Sequence, residues 1–238
     1  MGSTWLNGTG NGTSRRAASP VTATQLAFDL PARPAMGRED FLVAPCNGDA
    51  VEWIDRWPAW SYPCLVLHGP RGSGKTHLAR VWQQRSGAAW EDGADLESPL
   101  RHAGEGRAIC LDINGRIGDE TALFHLFNWT REHGGSLLLT GTTPVRDWGI
   151  QLPDLLSRLQ AAPTAILADP DDSLLAAVTV KLFADRQLAV TPDLLTYILT
   201  RVDRSFAALG EAVGRLDKAA LEEKRPITPR FAKRILRL

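Results

Sequence analysis

Three stretches of this chain are apolar without interruption: Cys64-Leu65-Val66-Leu67, Ala108-Ile109-Cys110-Leu111 and Leu137-Leu138-Leu139. Continuous rather than alternating apolar runs read as strands covered on both faces, which is the condition of a parallel sheet. A weaker strand is expected at Ala88 to Glu91, and a last one at Ala165-Ile166-Leu167. Helical signals lie between them. Asn47 is placed to cap a helix from about Gly48 to Trp57, which Pro58 ends. A second helix follows from Lys75 to about Arg85, and a short one is expected near Leu96 to His102. Asp119 and Glu120 open another that puts Leu123, Leu126 and Phe127 on one face and stops at Gly134-Gly135. A short helix from Pro153 to about Leu159 completes the alternation. From about residue 170 only helical periods remain, at Asp172 to Arg186, Pro192 to Arg201, Phe206 to Lys224 and Pro229 to Leu236. The expectation is an α/β fold, a five-stranded parallel sheet over residues 36–169, followed by a small helical unit over 170–238.

Residues 1–35 read differently. The first 24 are rich in Gly, Ser, Thr, Asn and Ala and hold too little apolar surface to offset the entropy of ordering them. Next comes Gln25-Leu26-Ala27-Phe28-Asp29-Leu30, in which Leu26, Phe28 and Leu30 alternate with small or polar residues and would share one side of an extended segment. That side either docks on this chain's own sheet edge or enters pockets on a partner. The flexible flank and the exit through Pro31 and Pro34 favour the partner.

Composition narrows the function little. Lys plus Arg equals Asp plus Glu at 27 each, so no global charge marks a nucleic-acid binder. From Arg201 onward ten Lys or Arg stand against five Asp or Glu, which reads first as solvated helix faces. The odd count of three cysteines, with no CxxC pair, points to reduced core thiols in a cytosolic protein. No apolar run approaches the ~18 residues of a membrane span, and no secretory signal follows Arg15 and Arg16.

The chemistry lies in Gly69-Pro70-Arg71-Gly72-Ser73-Gly74-Lys75-Thr76, between the first strand and the second helix. Two glycines four residues apart, followed by Lys and Thr, make a phosphate-binding loop. Its glycines let backbone N–H groups converge on a phosphate, Lys75 supplies a cation for the β- and γ-phosphates, and the Thr76 hydroxyl suits Mg²⁺. Asp112 ends the next buried strand beside this loop, where it would hold Mg²⁺ directly or through water. A nucleoside triphosphate or diphosphate is the expected ligand. Arg158, on the short helix, reads by itself as an ordinary surface residue.

A phosphate loop in an α/β core with a helical lid resembles the AAA+ ATPases, and more closely the branch formed by the replication initiator DnaA and its short homologue Hda. The phosphate loop continues Thr76-His77-Leu78 as in that branch. The strand ending at Asp112 is similar to its Walker B strand, and Thr140-Gly141-Thr142-Thr143-Pro144 stands where its sensor 1 segment would be. Gln25 to Leu30 resembles the hexapeptide by which such replication proteins bind the β sliding clamp. Leu152-Pro153-Asp154-Leu155-Leu156-Ser157-Arg158-Leu159 is similar to the segment bearing the arginine finger. The final helix resembles the close of the Hda lid, and the helix-turn-helix domain that DnaA carries after its lid does not follow here. The resemblance covers roughly residues 25 to 238.

Three departures qualify it. Ile113 follows Asp112 where active members have a second acid to orient water, so this chain's own hydrolysis should be slow or absent, with Glu120 a weak substitute. Thr142 stands where sensor 1 would have Asp or Asn. Ala207 aligns with the sensor 2 arginine, with Arg204 as a stand-in, which fits a protein that works with ADP bound. The resemblance implies a bacterial, cytoplasmic negative regulator of replication initiation at the replisome. It would bind the DNA polymerase III β sliding clamp, reach DNA indirectly through it, and stimulate hydrolysis of DnaA-bound ATP with Arg158 acting in trans. Its own ADP or ATP, with Mg²⁺, would be structural, and a homo-oligomer is left open. The alternatives are an autonomous ATPase of the helicase-loader or clamp-loader type, and a clamp-binding adaptor with a vestigial pocket.

Overall fold

The computed structural model describes residues 41–94, 108–113 and 117–237. The hexapeptide 25–30 and the short helix expected near Leu96 to His102 lie outside the described residues. In chain order the elements are α1 (Gly48–Arg56), β1 (Cys64–His68), α2 (Lys75–Ser86), β2 (Ala89–Asp92), β3 (Ala108–Ile113), α3 (Glu120–Glu132) and β4 (Ser136–Gly141). A 3₁₀ turn at Val145–Asp147 leads to α4 (Pro153–Gln160), β5 (Thr164–Ile166), α5 (Asp172–Ala184), α6 (Pro192–Arg201), α7 (Phe206–Glu223) and α8 (Pro229–Leu236). The weak strand and the last strand each differ by about one residue from their expected bounds.

All pairings are parallel, and the sheet order is β2-β3-β4-β1-β5. Strand alternation divides the central residues between two apolar layers. Val66, Ile109, Leu111, Leu137 and Leu139 join α3 and α4 through Leu123, Phe127, Leu155 and Leu159. Leu65, Leu67, Cys110 and Leu138 join α1 and α2 through Ile54, Leu78 and Trp82. This is why the strands are apolar at every position: each face has its own helix layer. Burial of each such Leu, Ile or Phe contributes about 1.5–3 kcal/mol.

The helical lid α5 to α8 has a separate core, with Phe183, Leu194, Ile198, Val213, Leu216 and Phe231 among its buried residues. Each lid helix starts at a side-chain cap: Asp171 accepts from the Leu174 amide, Thr191 from Leu194, Ser205 from Ala208 and Thr228 from Phe231. Proline at the first position of α6 and α8 suits a helix start, where its missing N–H is no loss.

Asn47 corrects the cap expected for α1. It occupies the N-cap position, but its side chain turns back into the preceding loop, accepting from the Ala44 amide at 2.8 Å and donating to the Leu42 carbonyl at 3.0 Å. Cys64 and Cys110 are buried free thiols, and burial pushes both well above the ordinary thiol pKa. They behave as small core residues. No helix among the described residues is long and apolar enough to cross a membrane.

Candidate nucleotide site

The phosphate loop leaves the carboxyl end of β1 and enters α2 through Gly74, which is left-handed with φ +95°. The first backbone bond of α2 is from Leu78 N–H to the Gly74 carbonyl, so the Lys75 and Thr76 amides precede the intrahelical ladder and face the loop end. Two glycines are obligatory for different reasons. Gly72 has φ +80°, and a Cβ there would lie 2.5 Å from the Ser205 Cβ. Gly69 is closed in by the chain leaving β5, since a Cβ there would lie 2.0 Å from the Leu167 carbonyl oxygen.

Within this turn Lys75 Nζ donates to the Gly69 and Pro70 carbonyls, each at 2.7 Å. Partial burial lowers its pKa; the Asp112 carboxylate opposes that, and the Arg71 charge adds to it. Ser73 Oγ is buried inside the loop and has no hydrogen-bond partner among the described residues. An orphaned buried hydroxyl, two left-handed glycines and a lysine curled onto loop carbonyls fit a phosphate group. Thr76 is exposed at the start of α2, and the His77 ring meets Phe41 edge-on at 5.3 Å.

Asp112 lies across from Thr140 in the sheet register, and Thr140 Oγ1 donates to its carboxylate at 2.6 Å. Leu67, two residues before the loop, is level with Thr140 on the next strand. Asp112 has the strand parity of Cys110, which packs in the α2 layer. Ile113 has the opposite parity and is 1% exposed, in the layer with Leu111 and Ile109. Thus Lys75 and Asp112 interact, while the residue after Asp112 is in the core.

Glu120 is committed elsewhere. Its carboxylate accepts from the Gln151 amide, at 3.0 Å through either oxygen, and from the Leu152 amide at 2.7 Å, where α4 begins. Thr142 is half-buried just beyond β4. Arg204 is exposed and paired with the Asp172 carboxylate, while its neighbours Ser205 and Phe206 approach Gly72 and Gly74. The start of α7 therefore closes over the phosphate loop.

The Arg158 backbone lies near the amino end of β1, opposite the end from which the phosphate loop leaves. The Tyr62 hydroxyl, just before β1, donates to the Arg158 carbonyl at 2.9 Å. The phosphate loop leaves the far end of that five-residue strand, roughly 16 Å away. The Arg158 guanidinium lies over Phe124 at 4.9 Å from the ring centre and donates to Asn128 Oδ1 at 2.6 Å. Sequence reasoning missed Asn128, Phe124, Tyr62 and the Thr140 partner of Asp112, since each pairing depends on sheet register or helix packing.

Residues 174–236 match the family model of the Hda lid domain. The chain is 30% identical over 194 residues to an uncharacterized protein of Haemophilus influenzae, a match that spans 74% of this chain and 82% of that protein. Among solved structures it resembles domain III of the DnaA replication initiation protein of Thermotoga maritima, with TM-score 0.74, 20% identity, and 87% and 98% of the two chains covered. AMPPCP-bound DnaA of Aquifex aeolicus is similar at TM-score 0.65 and 15% identity, over 78% of this chain and 66% of that one. With an AAA+ core of five parallel strands, a matched lid and a relative aligned over most of its length, the chain belongs to the Hda family, the DnaA-homologous branch of the AAA+ proteins.

Proposed function

We propose that the chain is a negative regulator of replication initiation that acts on DnaA. It holds ADP or ATP with Mg²⁺ as a structural ligand, and Arg158 enters the ATP site of DnaA to stabilise charge developing on the γ-phosphate. The observation that carries this reading is the pair Asp112 and Ile113: an acid beside the phosphate loop, followed by a residue sealed in the core with neither a proton acceptor nor access to water. A site so built binds a nucleotide and orients no attacking water.

Bound nucleotide would supply the polyphosphate charge that the loop amides, Lys75 and Ser73 are arranged to meet, with Thr76 and Asp112 toward the metal. The AMPPCP bound by the Aquifex aeolicus DnaA supports that assignment. Thr142 and Arg204 are further candidates for contact at the phosphate end, and Arg204 would first leave Asp172. Arg158 is held away from this chain's own loop, which supports action on a neighbouring molecule. Arginine fingers of that kind raise rates by roughly 10³- to 10⁵-fold. Gln25, Leu26, Phe28 and Leu30 would bind the β sliding clamp, so that the tether raises the effective concentration of Arg158 near DnaA on DNA.

The test is hydrolysis of radiolabelled ATP. The reading expects little turnover by the protein alone, and turnover when DnaA and DNA-loaded clamp are added. Arg158→Ala abolishes that turnover, and Leu26→Ala with Phe28→Ala abolishes it along with clamp capture. Substantial turnover by the isolated protein would instead make it an autonomous ATPase.

A further inference from the structure

The end of the lid carries a run of cations that neither the nucleotide site nor Arg158 uses. From Lys224 to Arg237 there are six Lys or Arg residues and no Asp or Glu. The geometry of α8 sorts them. Phe231, Ala232 and Leu236 turn into the lid core, so Arg230 and Lys233, spaced i and i+3, share the outer face, and Arg237 follows in the left-handed cap just past the helix end. All three are exposed, as are Lys224 and Arg225 in the turn before α8. Of the six, Arg234 has an ion pair among the described residues, with Glu223 at 2.6 Å. The chain as a whole is neutral, so this is a local concentration of charge.

We propose that this face of the lid binds the phosphate backbone of duplex DNA directly. From Arg230 to its end at Leu236 the helix rises about 9 Å along its axis, with Arg237 in the cap beyond it. Duplex DNA presents one phosphate charge per roughly 1.7 Å of its axis, so these cations face several phosphates at once. A membrane surface fits less well, because an interfacial helix inserts its apolar face and that of α8 is spent in the lid core. A protein partner fits less well too. Protein interfaces seat aromatic and arginine anchors in a packed, water-excluding centre, and none of the exposed large apolar residues among the described residues lies on α8 to supply one around these cations. Contacts of this kind position the lid on DNA and read no sequence.

The experiment is fluorescence anisotropy of a labelled 20-base-pair duplex titrated with the full chain. For three or four phosphate contacts, affinity falls on the order of 10²-fold between 50 and 200 mM salt. Arg230→Ala with Lys233→Ala lowers the salt slope by about two and weakens binding at least roughly tenfold at low salt. Arg56→Ala with Arg131→Ala removes the same charge elsewhere and leaves binding as it was. Circular dichroism melts confirm that both pairs fold. No binding at 50 mM salt overturns the proposal, as does equal weakening by the two pairs, which would mean diffuse charge. Tighter binding to phosphatidylserine vesicles or to polyglutamate than to the duplex also overturns it, in favour of a lipid or an acidic protein.

Discussion

Thr140 Oγ1 donates to the Asp112 carboxylate at 2.6 Å, across two strands whose partners are 28 residues apart in the chain. The bond fixes the carboxylate beside the phosphate loop and leaves its remaining lone pairs for a metal or its water. Thr140→Val keeps the β-branched shape and removes the donor. Nucleotide affinity should fall in the presence of Mg²⁺ and change little in EDTA, as read by calorimetric titration. Loss of a hydrogen bond to a charged group also costs about 1.5–3 kcal/mol of stability.

Ile113→Glu would place a carboxylate where the side chain is 1% exposed among Leu111, Ile109 and Leu123. An unpaired buried charge should destabilise the fold by about 3 kcal/mol or more, seen as a lower midpoint in urea, without creating ATPase activity. A stable variant with new turnover would disprove that the position is sealed in the core.

Glu120 ties the start of α3 to the start of α4 through the Gln151 and Leu152 amides. Glu120→Ala should cost about 1–2 kcal/mol, the range of a lost helix cap, and speed hydrogen exchange at those two amides. Glu120→Gln retains one acceptor oxygen and should recover most of the loss. Neither variant should change the protein's own ATP turnover.

His68 ends β1 immediately before the phosphate loop. Burial holds its pKa below 6.5, and the nearby Lys75 and Arg146 charges lower it further. A histidine with a lowered folded-state pKa takes up its proton more readily when unfolded. Its effect on stability is therefore absent well above pH 6.5 and becomes a growing penalty as pH falls through 6.5 toward the lowered value. Denaturation curves at about pH 7.5 and about pH 5.5 should show a smaller acid-side loss for His68→Gln than for the parent chain.

What the sequence determines by itself is local. Uninterrupted apolar runs specify strands covered on both faces, and Gly-x-x-x-x-Gly-Lys-Thr specifies a loop whose dihedrals and amides suit phosphate. Asp171, Thr191, Ser205 and Thr228 each start a helix through an amide three residues ahead. These signals rest on dihedral preferences and hydrogen bonds within a few residues, so they survive without knowledge of the rest of the chain. Asn47 shows where even such a signal is ambiguous: its side chain serves the turn behind it as well as it could serve the helix ahead.

The tertiary structure decided which distant groups meet. Sheet register sets Thr140 against Asp112, parity sends Ile113 into the α3 and α4 layer, and packing of α3 on α4 joins Glu120 to Leu152 and Asn128 to Arg158. It also brought Ser205 onto Gly72 and turned Arg230 and Lys233 outward from the lid core. These relations depend on the rotation and register at which separate elements pack, and those are fixed by the summed burial of the whole core.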